Sequence, residues 1–180
     1  LGVGGYCLTK DPTFTPAASK ELFKLELNFP FSNLAVQTNN KMPFHTASRL
    51  KNLLDNTLDN KKILICGITY RQDVADTRYS ASEILAKELI ASGAEVSCHD
   101  PLVNYWEEME IDVMEQFPKT SNYDAIVLAV AHAEYKELEP SFWLDTKLIL
   151  DANMVLEKYQ INRMRDLGIK TESIGRGDQL

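Results

Sequence analysis

Ile63-Leu64-Ile65-Cys66-Gly67-Ile68-Thr69-Tyr70-Arg71-Gln72-Asp73-Val74-Ala75-Asp76-Thr77-Arg78-Tyr79-Ser80 is the stretch on which the fold turns. Residues 63–68 are apolar at nearly every position, which is the pattern of a strand covered on both faces. A helix is expected over residues 80–92, where Ser80 and Glu83 have capping-box spacing, Ile84, Leu85 and Leu89 make one apolar stripe, and Gly93 supplies a stop. The connection between them, residues 69–79, is longer than the roughly two to six residues usual in a βα unit. A long loop at the carboxyl end of a parallel strand is where open α/β sheets bind ligands.

Further short apolar runs follow at 95–99, 125–130, 148–150 and 170–174, alternating with helical segments. The alternation reads as repeated βαβ units, so residues 61–180 are expected to form a Rossmann-like, doubly wound parallel-sheet domain of the α/β class. Upstream, from Thr15 to about Asn60, apolar residues recur at helical spacing: Ala18, Leu22, Leu25 and Phe29, then Ala47, Leu50, Leu54 and Leu58. Pro30 and Pro43 are expected to begin or interrupt helices. Residues 1–60 therefore read as a cysteine-bearing loop plus a helical region, and the stripe through Leu50, Leu54 and Leu58 is expected to pair two chains.

A net charge of -7 without a basic run argues against nucleic acid or an anionic membrane as partner, so an anionic ligand has to be held by a few placed cations. The longest apolar stretches, such as 125–131, fall well short of the ~20 residues of a membrane span, and no signal-peptide pattern opens the chain. A cytoplasmic location is expected. Cys7, Cys66 and Cys98 form no CxxC and His45, His99 and His132 are scattered, so neither a disulfide framework nor a metal site is expected. The chain begins without methionine inside a glycine-rich segment, which reads as a piece of a longer protein.

Two segments could carry chemistry. In Gly2-Val3-Gly4-Gly5-Tyr6-Cys7-Leu8-Thr9-Lys10-Asp11-Pro12, the glycines allow close backbone approach, and a thiol after them, with Lys10 nearby, is a candidate nucleophile. On composition alone, a glycine turn followed by a half-buried cysteine is the preferred reading. In the loop 69–79, Arg71 and Arg78 stand above a sheet edge just before a helix N-terminus, which suits a diphosphate. Alternatively, both arginines pair with Asp73 and Asp76 and staple the loop. Gly67 stands alone, so the GxGxxG fingerprint of a standard dinucleotide site is missing. Cys66 and Cys98 lie in apolar strands and read as packing residues; Trp106, Met109 and Met114, at loosely helical spacing, read as core. Arg176, within 175–178, is either beside a nucleotide or a solvated terminal arginine.

Taken together, the two segments resemble the two signatures of the UDP-glucose/GDP-mannose dehydrogenase family. The first is similar to the family's glycine-rich motif ending in a catalytic cysteine and aspartate. The second is similar to the G-x-x-(Y/F)-(K/R) motif, continuing to D-x-R, that opens its UDP-sugar-binding domain. Asn40, Met42 and Pro43, Cys98-His99-Asp100-Pro101, and residues 125–132 followed by Tyr135 agree with the same family. The resemblance implies that Cys7 is the nucleophile that holds the sugar aldehyde as thiohemiacetal and then thioester. It implies that Asp11 positions water or the oxyanion network, that Gly4, Gly5, Tyr70 and Arg71 bind the UDP-sugar, and that Arg78 reaches NAD. It further implies NAD as cofactor, two successive hydride transfers that take C6 from alcohol to carboxylate, a homodimer through the helical region and a role in polysaccharide biosynthesis.

Arg71 replaces the family's commoner lysine, Tyr79 stands where glutamate is frequent, and residues 6–10 look more like the branch acting on UDP-N-acetylhexosamines. The family's upstream NAD domain has no counterpart in these 180 residues, so this chain alone is expected to bind a UDP-sugar weakly and not to oxidise it. The rival reading is a non-catalytic UDP-nucleotide-binding and dimerisation module; a cysteine hydrolase is disfavoured because no His/Asp pair stands at a suggestive place.

Overall fold

A strand that is apolar on both faces has to be covered twice, and the chain supplies two helical layers to do it. The computed structural model describes residues 1–118, 122–143 and 145–176. A short turn of 3₁₀ helix, Asp11–Thr13, leads into α1 (Phe14–Glu21) and α2 (Pro30–Leu53). Then follow β1 (Lys62–Cys66), α3 (Ala81–Ala91), β2 (Glu95–His99), β3 (Tyr105–Trp106), β4 (Ile111–Asp112), β5 (Ala125–Leu128), α4 (Ala133–Glu137), β6 (Leu148–Asp151), α5 (Lys158–Asp166) and β7 (Lys170–Ser173). The main sheet has the order β2-β1-β5-β6-β7 and every pair in it is parallel, with Cys66 level with His99 on one side and Leu128 on the other. The expected doubly wound α/β architecture is thus present with all five of its strands, while β3 and β4 form a separate antiparallel ribbon.

Alternation along the strands divides the interior. Ile63, Ile65, Val127 and Leu150 face Leu85 and Leu89 of α3 together with Ala47 and Leu50 of α2. Leu64, Cys66, Ile126, Leu128 and Ile149 face Tyr135 of α4, Trp143, and Ile161 and Met164 of α5. The sheet changes winding direction between β1 and β5, so the crevice at that switch point opens above their carboxyl ends.

Several sequence-based expectations give way to tertiary structure. Pro43 does not interrupt a helix: α2 runs through it, and the proline itself is buried. The packing of Ala47 and Leu50 outweighs the hydrogen bond that an internal proline removes. Leu22 and Leu25 are not helical, because α1 ends at Glu21. There the Leu25 amide donates to the Ser19 carbonyl at 2.9 Å, the Ser19 hydroxyl donates to the Leu25 carbonyl at 2.9 Å, and Lys24 reverses the chain at a φ of 53°.

The stripe through Leu50, Leu54 and Leu58 is not available to a second chain either, since all three belong to the core over α3 and β1. The exposed large apolar residues of α2 are instead Phe31, Leu34 and Phe44. Trp106 is buried as expected but lies in β3, not at helical spacing. Arg176 is half-buried and not freely solvated: its guanidinium donates to the Leu156 carbonyl, while Gly177 and Asp178 lie outside the described residues. At α3, Ser80 caps the Ser82 amide at 3.2 Å, but Glu83 turns to Lys87 instead of completing the capping box. No helix among the described residues is long and apolar enough to cross a membrane.

Gly67, just past β1, lies tight against Val130, just past β5. Its φ is 94°, and a β-carbon there would lie 2.4 Å from Val130 Cβ and 2.8 Å from the Val130 nitrogen. Backbone occupies that space, so it cannot move aside cheaply. Gly67→Ala is expected to cost about 3 kcal/mol or more in denaturant unfolding, and a loss within about 0.5 kcal/mol would contradict this account of the crossover.

Candidate functional site

Behind the loop that follows β1 lies a buried polar cluster assembled from three adjacent strand ends. Asp100, just past β2, is fully buried; its Oδ2 accepts the Ile68 amide at 2.9 Å and the Nε2 of His132 at 3.2 Å, and its Oδ1 accepts the Leu102 amide at 3.0 Å. His132, just past β5, is also buried; its Nε2 lies 3.0 Å from Thr69 Oγ1, and its Nδ1 accepts the Asp73 amide at 3.0 Å. Burial works against the charge on Asp100, but the hydrogen bond from His132 and the amides of Ile68 and Leu102 outweigh it and hold the carboxyl below the usual carboxylate range.

Beside this cluster the thiols are inert. Burial, with Cys98 and Asp100 adding to it, pushes the Cys66 thiol well up, and burial with Asp100 pushes Cys98 up to about 12. Both cysteines stay protonated and act as packing residues.

The glycine-rich segment docks directly on the loop that follows β1. The Gly5 amide donates to the Tyr79 carbonyl at 3.2 Å, and the Tyr6 and Tyr79 rings meet edge to face at 5.4 Å. A β-carbon on Gly4 would lie 2.7 Å from the Tyr79 carbonyl oxygen, and one on Gly5 would lie 2.8 Å from the Tyr70 ring, where the backbone already has a φ of 87°. These glycines therefore serve first to let the segment lie flat on Tyr70 and Tyr79. Asn39 of α2 clasps Val3 from the other side, its Oδ1 accepting the Val3 amide at 2.7 Å and its Nδ2 donating to the Val3 carbonyl at 2.8 Å. Between the two segments opens a cleft of about 700 Å³ walled by Gly2, Gly4, Tyr70, Arg71, Asp73 and, from the end of β6, Asn153.

The candidate residues divide over this landscape. Gly4, Tyr70 and Arg71 wall the cleft, and Gly5 is held against Tyr70 beside it. Arg71 is exposed and makes no ion pair among the described residues, whereas Arg78 forks onto Asp76 through contacts of 2.9 and 2.7 Å. That contact, with the carboxylate charge beside it, raises the Arg78 pKa and lowers that of Asp76. Arg78 also lies in a different depression, of about 380 Å³, with Val103, Tyr105, Glu107 and Glu108. The stapling alternative thus describes Arg78 and not Arg71.

Cys7 is exposed, and although it is not one of the cleft's walls, its neighbour Leu8 is. Its carbonyl accepts the Asp11 amide at 2.8 Å, so Cys7 and Asp11 share one turn. The Lys10 ammonium is committed elsewhere: it sits 3.1 Å from the Asp11 carboxylate and over the rings of Tyr6 and Phe14, at 4.6 and 4.3 Å. Sequence reasoning overlooked the roles of Asp100, His132 and Asn153. The available signal was that each follows the carboxyl end of an apolar run.

An open parallel sheet with an exposed arginine on the loop beside its switch point is the architecture in which doubly wound α/β domains bind ligands. A family model for the UDP-glucose/GDP-mannose dehydrogenase family, UDP binding domain, matches residues 64–158, and the chain belongs to that family. The chain is 32% identical to a UDP-N-acetyl-D-mannosamine dehydrogenase of Methanococcus vannielii, over 98% of this chain and 40% of that protein. It is 25% identical to the UDP-glucose 6-dehydrogenase of Bos taurus, again over 98% of this chain and 40% of the relative. Among solved structures it is similar to the UDP-D-ManNAc dehydrogenase of Pyrococcus horikoshii, with a TM-score of 0.78 at 26% identity, covering 98% of this chain and 40% of that one. A second is the NDP-N-acetyl-D-galactosaminuronic acid dehydrogenase of Methanosarcina mazei, with a TM-score of 0.80 at 28% identity, covering 97% of this chain and 38% of that one. The chain therefore spans about 40% of the length of the curated relatives it matches.

Because the Asp100 carboxyl titrates lower in the folded chain than in the unfolded one, its contribution to stability is complete above its ordinary pKa of about 4 and is lost as pH falls through the depressed folded value. Asp100→Asn is expected to cost about 2 kcal/mol or more at neutral pH. It should also flatten the acid limb of the stability curve below about pH 5. Denaturant unfolding of both proteins at a series of pH values checks this, and parallel acid limbs would contradict it.

Proposed function

We propose that this chain is the UDP-sugar-binding, thiol-bearing part of an NAD-dependent nucleotide-sugar 6-dehydrogenase, oxidising a UDP-sugar to its uronic acid for polysaccharide biosynthesis in the cytoplasm. The observation that carries the reading is the docking of the glycine-rich segment on Tyr70 and Tyr79, which brings an exposed Cys7 next to a cleft walled by Arg71, an arginine that makes no ion pair among the described residues. Residues 1–60 supply the nucleophile and the helical region, and residues 61–180 the sugar-nucleotide domain. The names of the relatives favour a UDP-N-acetylhexosamine as substrate over UDP-glucose. Dimerisation is proposed through the exposed Phe31, Leu34 and Phe44 of α2 and not through the buried leucine stripe.

In this reading, Arg71 and Tyr70 hold the nucleotide in the cleft, with the Arg71 fork on the diphosphate. The Cys7 thiolate adds to the C6 aldehyde carbon: a C–S bond forms, the carbonyl π pair moves onto oxygen, and that oxygen takes a proton. The adduct then loses its C6 hydrogen as hydride to the acceptor and its hydroxyl proton to solvent, which restores the C=O as a thioester. Water displaces the thiolate from it to give the carboxylate, and Asp11, on the same turn, orients the water. NAD supplies the hydride acceptor. The turn after β1 is not shaped to cradle a dinucleotide, since the space at Gly67 is filled by Val130, while Arg78, exposed on its Asp76 pair, is proposed as the residue that reaches NAD from this chain. The cofactor is accordingly assigned to the part of the relatives' length that this chain does not span.

A second reading, a non-catalytic UDP-binding and dimerisation module, is favoured by the position of Cys7 outside the cleft walls and by the commitment of Lys10 to Asp11. Two measurements separate them. Calorimetric titration with UDP is expected to give binding that Arg71→Ala weakens about tenfold or more, as loss of a charge-assisted contact should. In an enzyme completed with the unspanned part of a relative, Cys7→Ala is expected to lower kcat by about 10³ or more. Undiminished turnover would refute the covalent role, while loss of turnover with intact UDP binding would exclude the second reading.

A further inference from the structure

We infer that His132 is a positioning residue for the nucleotide cleft: one buried imidazole ties together both ends of the 69–73 segment whose middle, Tyr70, Arg71 and Gln72, walls that cleft. The inference rests on the UDP-binding reading above and deepens it.

The hydrogen-bond accounting assigns the imidazole one arrangement. The Asp73 amide can only donate, so the Nδ1 it meets at 3.0 Å carries no proton. The proton of the neutral ring is then on Nε2, between Thr69 Oγ1 at 3.0 Å and Asp100 Oδ2 at 3.2 Å. Thr69 accepts it because its own hydroxyl proton goes to the Arg71 carbonyl, 3.1 Å away. Two further contacts and one left-handed residue close the cluster. Asp100 accepts the Ile68 amide, Asp73 holds a φ of 57°, and Asp73 Oδ1 accepts the Ala133 amide at 3.1 Å, next to His132 at the start of α4. The loop leaves β1 on Asp100, turns over Thr69, presents Tyr70 and Arg71, and returns to the same imidazole at Asp73. Nothing in this chain of contacts touches the cleft through His132 itself, so its effect on a ligand runs through the loop.

The two nitrogens can be removed separately. His132→Gln places an amide donor toward Thr69 and Asp100 but offers no acceptor to the Asp73 amide. His132→Asn puts an oxygen near the former Nδ1 but leaves the buried Asp100 without its imidazole donor. If His132 positions the loop, His132→Gln raises hydrogen exchange at the Asp73 amide about tenfold in the ligand-free chain and weakens UDP binding about tenfold by calorimetry. His132→Asn holds UDP affinity within about threefold of the original despite a lower melting temperature. A merely structural role gives the opposite ranking, because unpairing Asp100 is then the greater injury.

Ala133→Pro, at a first helical position that tolerates proline, removes the other tie to Asp73 without disturbing the buried cluster. It is expected to weaken UDP in the same direction, and it decides the matter should His132→Gln fail to fold. Unchanged UDP affinity in His132→Gln or, where that variant does not fold, in Ala133→Pro overturns the proposal, as does a His132→Asn variant that binds no better than His132→Gln. A parent chain that binds no UDP removes the ligand assigned above, while the exchange rate at Asp73 still decides whether the imidazole holds the loop.

Discussion

Two missing β-carbons hold this molecule's site together. Without side chains at Gly4 and Gly5, the N-terminal segment can lie within bonding distance of Tyr79 and against the face of Tyr70. Any larger residue at either position would drive the segment off the loop. Everything that makes the cleft a plausible place for chemistry follows from that contact: an exposed thiol, an arginine and the carboxyl edge of a parallel sheet share one neighbourhood only because the backbone at positions 4 and 5 occupies no more than its own width.

The second constraint is electrostatic. The chain carries a net charge of -7, so an anionic nucleotide has no general attraction to it and depends on local geometry. Of the two arginines on the loop, Asp76 engages one and leaves the other facing the cleft. The buried polar cluster behind the loop is closed on itself: Asp100 spends its oxygens on backbone amides and on His132, so its hydrogen-bonding capacity is satisfied within the protein. The cation on the rim, with the one nearby carboxylate fully engaged by hydrogen-bond donors of the protein, is compatible with a diphosphate above the switch point, the place where doubly wound sheets bind their ligands.

Much of the fold could be read from the sequence because its strands are covered on both faces: continuous apolar runs at 63–68, 95–99, 125–130, 148–150 and 170–174 leave few alternatives to a parallel sheet. Periodicity shows that a helix face is buried but not what buries it, which is why Leu50, Leu54 and Leu58 read as a surface for a second chain when they cover this chain's own sheet. Pro43 was misleading for a related reason, since local preference does not include the core that α2 joins. For the site, the two segments with chemistry were recognisable from their glycines, cysteine and arginines. Which arginine faces the cleft was not, because the choice depends on how the loop curls Asp76 back onto Arg78. Asp100 and His132 stand 32 residues apart and become neighbours only through the strand order β2-β1-β5, a relation no local pattern contains.

The central claim, that the cleft between the glycine-rich segment and the loop after β1 is the nucleotide site, is tested most directly by mapping backbone amide chemical shifts of this chain during titration with UDP. The account predicts that the perturbed amides cluster at Gly2, Gly4, Tyr70, Arg71, Asp73 and Asn153. Shifts confined to the depression around Arg78, Tyr105, Glu107 and Glu108 would contradict it.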